Sequence, residues 1–190
     1  MTINIRRILP ASLVAVAAVV AAGCGSSSSS PAGNVTDRAF VNDMTPHHQS
    51  AVSMAQIALT RAQHPEIKQL ATNIVADQKK EIGQMATFKM QIGAGDAKSS
   101  LGQSMQAMGM NMNNAALKTA KPFDRAFIDM MTPHHTGAIA MAKIELAKGK
   151  DPAVKALATR IIAAQTKEKA EMKTWRARWY GAGTTQGTAG

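Results

Sequence analysis

Apolar and small side chains recur every three or four residues along most of the chain after residue 37. In the first such stretch the spacing runs 4, 3, 4, 3, 4 and includes a histidine. This interval is the repeat of one face of an α-helix, and no stretch alternates as a strand does, so the pattern predicts an all-α fold. The stretch comprises Phe40, Met44, His47, Ala51, Met54 and Ala58.

The helical pattern occurs twice. A shift of 87 positions aligns residues 37–88 with residues 124–175 without a gap. DRAF and MTPHH occur in both units, so four of the five histidines lie in two matching Pro-His-His motifs. The matching polar and Met positions later in the units are Gln78, Glu81 and Met85 in the first and Gln165, Glu168 and Met172 in the second. Similarity over this length predicts a duplicated structural unit.

Each unit is predicted to form a helical hairpin. The second helix of each begins at a proline, Pro65 or Pro152, a residue well suited to the first turn of a helix. Few residues separate it from the preceding helix, so the two helices fold back antiparallel. Two hairpins predict a four-helix bundle over residues 37–179.

Pro46 allows two interpretations of the first helix. The apolar stripe continues through it, which favours one helix that bends where the proline removes a backbone hydrogen bond. Alternatively, Thr45 is an N-cap and Pro46 the first residue of a separate helix.

Counting from the hairpin turn predicts which polar residues meet. His47 lies 17 residues before His64 and Glu81 lies 17 after it, so both reach the same height. Met44 and Met85, at 20 and 21 residues, fall on the next level, towards the open end of the hairpin. The predicted clusters are Met44, His47 or His48, Glu81 and Met85 in one unit, and Met131, His134 or His135, Glu168 and Met172 in the other. Both clusters lie at one end of the bundle if consecutive helices are antiparallel, and at opposite ends if residues 89–122 form a crossover.

The residue types in these clusters indicate a soft metal. Imidazole is an intermediate ligand, and a thioether selects Cu(I) without deprotonation or disulfide formation. Copper or silver therefore fits better than zinc or calcium. Glu81 and Glu168 could alternatively pair with histidine or with Arg38 and Arg125, which would satisfy half-buried carboxylates. Met54 and Met141 are interpreted as core residues.

The linker at 89–122 carries a further group of methionines. They are Met105, Met108, Met110 and Met112. Four thioethers within eight residues form a second candidate site for a soft metal. The alternative is a short amphipathic helix that also includes Leu101, with methionine filling gaps in the core.

The two ends of the chain lie outside the predicted bundle. Arg6 and Arg7, an apolar run and AAGC form a lipoprotein signal peptide over residues 1–23, with Cys24 as the lipidated residue. A Ser- and Gly-rich tether follows to residue 36, and residues 180–190 form a disordered tail. Cleavage lowers the formal net charge from +10 to +8. The predicted partners are the membrane, a metal ion and a metal-receiving protein of the envelope. Nucleic acid is excluded as a partner because the chain has few aromatic residues to stack on bases.

These motifs resemble the CopM-like family, domain of unknown function 305, over residues 37–179. The resemblance rests on DRAF, MMTPHHTGAIAMA and the trailing Gln165, Glu168, Met172 and Trp175. It implies a ferritin-like four-helix bundle, copper and silver binding through methionine and histidine, and a part in metal tolerance. The residues so implied are Met44, His47, His48, Met85, Met131, His134, His135 and Met172. The first unit departs by having Phe88 for tryptophan and Asn42 where the second has Asp129.

The function predicted from the sequence is that of an exported, membrane-tethered protein that buffers or hands on Cu(I). The alternative is a non-catalytic structural or interaction module of the cell envelope. Di-iron chemistry is excluded because no Glu-x-x-His motif occurs. No nucleophile motif is evident, so no enzymatic activity is predicted. His64 has no histidine counterpart in the second unit and is expected to be exposed to solvent.

Overall fold

The computed structural model describes residues 33–93, 100–110 and 113–181. Over these residues the chain forms five helices and no strand. The predicted all-α bundle of two hairpins is confirmed. Its elements are α1 (Val35–Arg61), α2 (Pro65–Gln91), a short α3 (Asn114–Thr119), α4 (Phe123–Lys148) and α5 (Pro152–Tyr180). The predicted signal peptide, Cys24, most of the tether and the tail after Gly181 lie outside the described residues.

α1 continues through Pro46 without interruption. Thr45 is a helical residue whose hydroxyl donates to the carbonyl of Val41 at 2.7 Å, one turn earlier. The alternative in which Thr45 caps a new helix is therefore wrong. α4 contains Pro133 in the same way. The N-cap of α1 is instead Asn34, which accepts hydrogen bonds from the backbone N–H groups of Thr36 and Asp37.

The two hairpins are joined by a reciprocal pair of aspartates. Asp37 at the start of α1 accepts hydrogen bonds from the backbone N–H groups of Lys150 and Asp151, in the turn between α4 and α5. Asp124 at the start of α4 accepts from those of Gln63 and His64, between α1 and α2. Each hairpin thus caps the turn of the other, and α1 and α4 run antiparallel.

This arrangement makes the linker a crossover. Because α1 is antiparallel to both α2 and α4, α2 and α4 point the same way, and residues 92–122 must return along the length of the bundle. The prediction that both polar clusters share one end is wrong. They do not lie at opposite ends either: the histidines sit near the middle of α1 and α4, because α1 and α2 extend beyond them to Val35 and Gln91.

The core consists of two apolar clusters, and each draws on both hairpins. One contains Met54 and Ile74 from the first hairpin with Met131 and Met172 from the second. The other contains Met44 and Met85 with Met141, Leu157 and other residues of the second hairpin. Burial of these side chains, at about 1.5–3 kcal/mol each, holds the hairpins together. Met54 and Met141 are fully buried, in agreement with their interpretation as core residues.

His64 is not the freely exposed residue expected from the sequence. Its Nδ1 lies 2.6 Å from Asp124 Oδ2, and its ring stacks on Trp179 with centroids 3.7 Å apart. About a third of its side chain remains exposed. As the residue before Pro65, it occupies the N-cap position of α2, and Asp151 occupies the corresponding position of α5.

Candidate metal centre

Four fully buried histidines lie at the centre of the bundle. Adjacent residues of a helix point about 100° apart, so the two members of each pair face different neighbours. His47 of α1 faces α4, where its ring lies over that of His134 with centroids 3.7 Å apart. His48 and His135 face the second helix of their own hairpins. The sequence motif thus supplies one contact between the hairpins and one contact within each.

The contact within each hairpin is a histidine–glutamate pair. His48 Nε2 lies 2.8 Å from Glu81 Oε2, and His135 Nε2 lies 2.7 Å from Glu168 Oε2. The level predicted by counting from the turn is therefore the level at which these side chains meet. The alternative in which arginine pairs with these glutamates does not occur. Arg38 donates to the carbonyl of Gly33, and Arg125 donates to Asp129.

These contacts fix which ring nitrogen carries the proton. A carboxylate or a backbone carbonyl only accepts hydrogen bonds, so His48 and His135 donate from Nε2 to Glu81 and Glu168. His47 Nε2 donates to the backbone carbonyl of Met108 at 2.8 Å. In all three rings Nδ1 is buried and has no hydrogen-bond partner in the described part of the chain, and in a neutral ring that donates from Nε2 this nitrogen carries the lone pair. Neither nitrogen of His134 has a partner there.

Burial keeps the two stacked rings neutral. Burial, assisted by the nearby His48 and His135, lowers the pKa of His47 from 6.5 to about 3. Burial, followed by the neighbouring His47, His135 and His48, holds the pKa of His134 well below its usual value. A neutral imidazole can donate a lone pair to a metal without first releasing a proton.

Fully buried thioethers lie within one helical turn of the paired residues. Met44 precedes His48 by four residues and Met85 follows Glu81 by four, so each pair shares a helix face. Met44 and Met85 belong to the same cluster, and the Thr45 hydroxyl contacts Met85 Sδ at 3.7 Å. Met131 and Met172 are related in the same way to His135 and Glu168, in the other cluster.

The linker methionines differ in their burial and in their contacts. Met108 is nearly buried, and its carbonyl, not its thioether, contacts His47. Met110 packs against the cluster of Met44, whereas Met105 is 54% exposed. Residues 105–109 form a hydrogen-bonded turn, so the predicted amphipathic helix does not occur in the described residues. Met112 lies outside them.

The linker packs closely against α4, a contact that was not predicted from the sequence. A Cβ atom on Gly137 would overlap the Met108 carbonyl, and one on Gly109 would overlap the carbonyl of Pro133. Close approach of two backbones requires glycine at such points. The sequence does mark this contact, because the second unit has a glycine, Gly137, where the first unit has Ser50.

Within residues 33–93, 100–110 and 113–181, no group of three or more His, Cys, Asp or Glu side chains is placed to hold a metal ion. The buried thioethers are the donors that the fold provides on the same helices.

These features define a class: a bundle of two interlocked helical hairpins whose interior is lined with buried histidines and methionines. Residues 37–176 match the family described as Domain of unknown function (DUF305). The chain belongs to that family.

Solved structures of similar proteins have the same fold. CopM in its Cu(I)-bound form is 41% identical, with a TM-score of 0.67 and coverage of 76% of this chain and 98% of that chain. CopM has also been solved in apo, Cu(II)-bound and Ag-bound forms. A DUF305 fragment from Deinococcus radiodurans is 28% identical, with a TM-score of 0.67 and coverage of 78% of this chain and 99% of that chain.

A shorter match links the chain to the uncharacterized protein L153 of Acanthamoeba polyphaga mimivirus. The two are 41% identical over 51 residues, which is 27% of this chain and 34% of the viral protein. The chain thus spans about a third of the length of this curated relative. Separately, none of the helices in the described ranges has an apolar stretch long enough to cross a lipid bilayer.

Proposed function

We propose that this protein binds Cu(I) or Ag(I) through the Nδ1 atoms of its buried histidines and the adjacent methionine thioethers. The observation that carries the proposal is that the buried Nδ1 atoms of His47, His48 and His135 have no hydrogen-bond partner among the described residues. Three hydrogen bonds from Nε2 hold these rings in place and leave the metal-binding nitrogen free. CopM, with 41% identity over 98% of its chain, has been solved with Cu(I) bound.

Glu81 and Glu168 are proposed to act through histidine. A carboxylate that accepts a hydrogen bond from one ring nitrogen fixes the tautomer and raises the basicity of the other nitrogen. Ligands in each hairpin are then the imidazoles of the Pro-His-His motif with Met44 and Met85, or with Met131 and Met172. Imidazole with thioether suits Cu(I) and Ag(I), and neither ligand needs to lose a proton at neutral pH.

The proposed location is outside the cytoplasmic membrane, with Cys24 as the lipid anchor and the Ser-rich segment as tether. In that compartment thioethers are more dependable ligands than thiols, because they do not form disulfides. The proposed role is to buffer Cu(I) or pass it to an envelope protein. Met105 and Met110 are proposed, with Met112, as a second soft-metal site in the linker, where Met105 is accessible from solvent.

The test is an anaerobic Cu(I) titration of the full chain carrying Cys24→Ser, which removes its one thiol. A chromophoric Cu(I) chelator reports the affinity by competition. Changing His47, His48, His134 and His135 together to alanine should weaken binding by orders of magnitude. His64→Ala is the matched control, because it removes the one remaining histidine, which stacks on Trp179 away from the centre. Equal affinities for the two variants would contradict the proposal.

The alternative is a non-catalytic envelope module in which the histidines stabilise the core. The hydrogen bonds of His47, His48 and His135 favour it, since they satisfy one nitrogen of each ring without any metal. Metal analysis of protein purified from cells grown with added copper separates the two functions. Protein that is free of copper and silver would support the module.

A further inference from the structure

The four histidines of the centre have no surface in contact with solvent. His47, His48, His134 and His135 are each 0% exposed. A metal ion that binds them must therefore enter while some part of the fold moves aside. Local opening of this kind takes place where few side chains are buried, so the parts of the chain that cover the rings can be compared.

Residues 100–110 of the linker, which we call the strap, lie directly against the stacked rings. The backbone carbonyl of Met108 accepts the hydrogen bond of His47 Nε2 at 2.8 Å. A Cβ atom on Gly109 would lie 2.7 Å from the Cα atom of His134. The strap therefore covers both members of the stacked pair on this side of the bundle.

The strap is held by few interactions. Only Met108 and Gly109 of its eleven residues are buried, whereas α2 buries six residues. Its first residues are fixed to α1 by Asp43, which accepts hydrogen bonds from the backbone N–H of Leu101 at 2.7 Å and from Ser100 Oγ at 2.9 Å. Release of the strap therefore disturbs less packing than movement of a helix.

The opposite side of the bundle provides a poorer route for a cation. The cleft between α2 and α5 is lined by Glu81 and Glu168, but each already accepts a hydrogen bond from a histidine. Lys80 and Arg160 also line this cleft, and their positive charges repel a metal ion. Entry on this side would also require two long helices to separate.

We infer that the strap is the gate of the metal centre: its release from α1 and α4 admits or frees the metal ion, and its return closes the centre. Release breaks the hydrogen bond between Met108 and His47, which exposes the edge of the ring and allows the ring to turn. Met105, which is 54% exposed, places a thioether on the outer surface of the gate. The inference rests on the proposed function for its metal, but release of the strap can be measured without one.

The first measurement uses the metal-free full chain carrying Cys24→Ser. Diethyl pyrocarbonate acylates accessible neutral imidazoles, and mass spectrometry gives the rate at each histidine. Asp43→Ala removes the acceptor of two hydrogen bonds from the strap, so it should raise the rates at His47 and His134 by about fivefold or more. His64, about a third exposed, is an internal reference and should react at an unchanged rate.

Two further variants make this measurement specific to the strap. Ser100→Ala removes one of the two hydrogen bonds to Asp43 and should raise the rates less than Asp43→Ala does. Asp77→Ala removes an exposed aspartate of α2 that lines the cleft, and it should react as the wild type does. Wild-type rates in Asp43→Ala, or equal acceleration in Asp77→Ala, would overturn the inference.

The second measurement follows anaerobic transfer of Cu(I) from a chromophoric chelator to the same variants by stopped-flow absorbance. A gate that is closed in both the free and the loaded protein changes the rates of binding and release by one factor. Asp43→Ala should therefore accelerate both about fivefold or more and keep the wild-type affinity. Weaker affinity with unchanged rates would also overturn the inference. Absence of Cu(I) binding to the wild type would contradict the proposed function instead, and the acylation rates would still decide whether the strap opens.

Discussion

The imidazoles of His47 and His134 lie face to face across the bundle, with ring centroids 3.7 Å apart and an angle of 37° between their planes. They occupy equivalent positions in the two repeats, and the antiparallel packing of α1 and α4 brings them together near the centre. Two protonated rings at this distance would repel each other in a buried environment. The contact is therefore incompatible with protonation of both rings.

The first prediction is that the metal-free protein loses stability in acid. Between pH 6.5 and about 3 the unfolded chain protonates His47 and the folded chain does not. Burial lowers the pKa of His134 in the same direction. The unfolded state then binds more protons, so the free energy of unfolding falls as the pH falls, by up to about 1.4 kcal/mol per pH unit for each histidine. Above pH 6.5 this contribution is fully present. Urea unfolding at a series of pH values measures the slope.

His47→Gln with His134→Gln provides the comparison. This variant lacks both groups, so its stability should depend less on pH between 6.5 and 4 than that of the wild type. Parallel slopes for the wild type and the double variant would show that the stacked rings do not govern the acid transition.

The second prediction concerns Glu145, which is fully buried near the start of α1. Burial, followed by the neighbouring carboxyl group of Asp37, raises the pKa of Glu145 from 4.5 to about 8. The folded state therefore holds a proton that the unfolded state releases. Its stabilising effect is complete below pH 4.5 and is lost as the pH rises towards 8.

Glu145→Gln should remove this dependence. The amide is a neutral group of similar shape, so the variant should gain stability relative to the wild type as the pH is raised from 6.5 to 8. Thermal unfolding at both pH values measures the difference, and an unchanged wild-type slope in Glu145→Gln would be the contrary result.

The helical hairpins and the histidine–glutamate pairs could be predicted because both depend on local periodicity. Counting residues from His64 places His47 or His48 near the level of Glu81 once the helices are antiparallel. The count does not decide which of the two histidines faces the glutamate. The crossover could not be predicted, because residues 89–122 carry no pattern that fixes their direction. The capping of each turn by Asp37 or Asp124 was visible as a repeated aspartate, but a repeat alone does not identify its partners.

Two glycine substitutions, one at the contact between the linker and α4 and one on the exposed face of α2, should have opposite effects on the stability of the fold. Gly137→Ala would place a methyl group against the Met108 carbonyl, so it should destabilise the fold and displace the acceptor of His47. Gly83→Ala, on the exposed face of α2, meets nothing within 4 Å and should stabilise the helix by about 0.5–1 kcal/mol. Urea midpoints for the two variants measure both effects. A neutral Gly137→Ala would show that the linker does not pack tightly on α4.

The proposed role of the methionines near the histidines as Cu(I) ligands can be tested without disturbing the core. Met44→Leu with Met131→Leu removes one thioether from each hairpin and nearly conserves volume, so it should cost less than about 1.5 kcal/mol per site. If these sulfurs are Cu(I) ligands, affinity in the anaerobic chelator competition should fall while the unfolding midpoint changes little. Met54→Leu with Met141→Leu is the matched control, because these side chains are equally buried and are assigned to the core. Because leucine provides no lone pair, a loss of Cu(I) affinity confined to the first variant would identify sulfur as a ligand. Equal losses in both variants would mean that packing, and not coordination, explains the buried methionines.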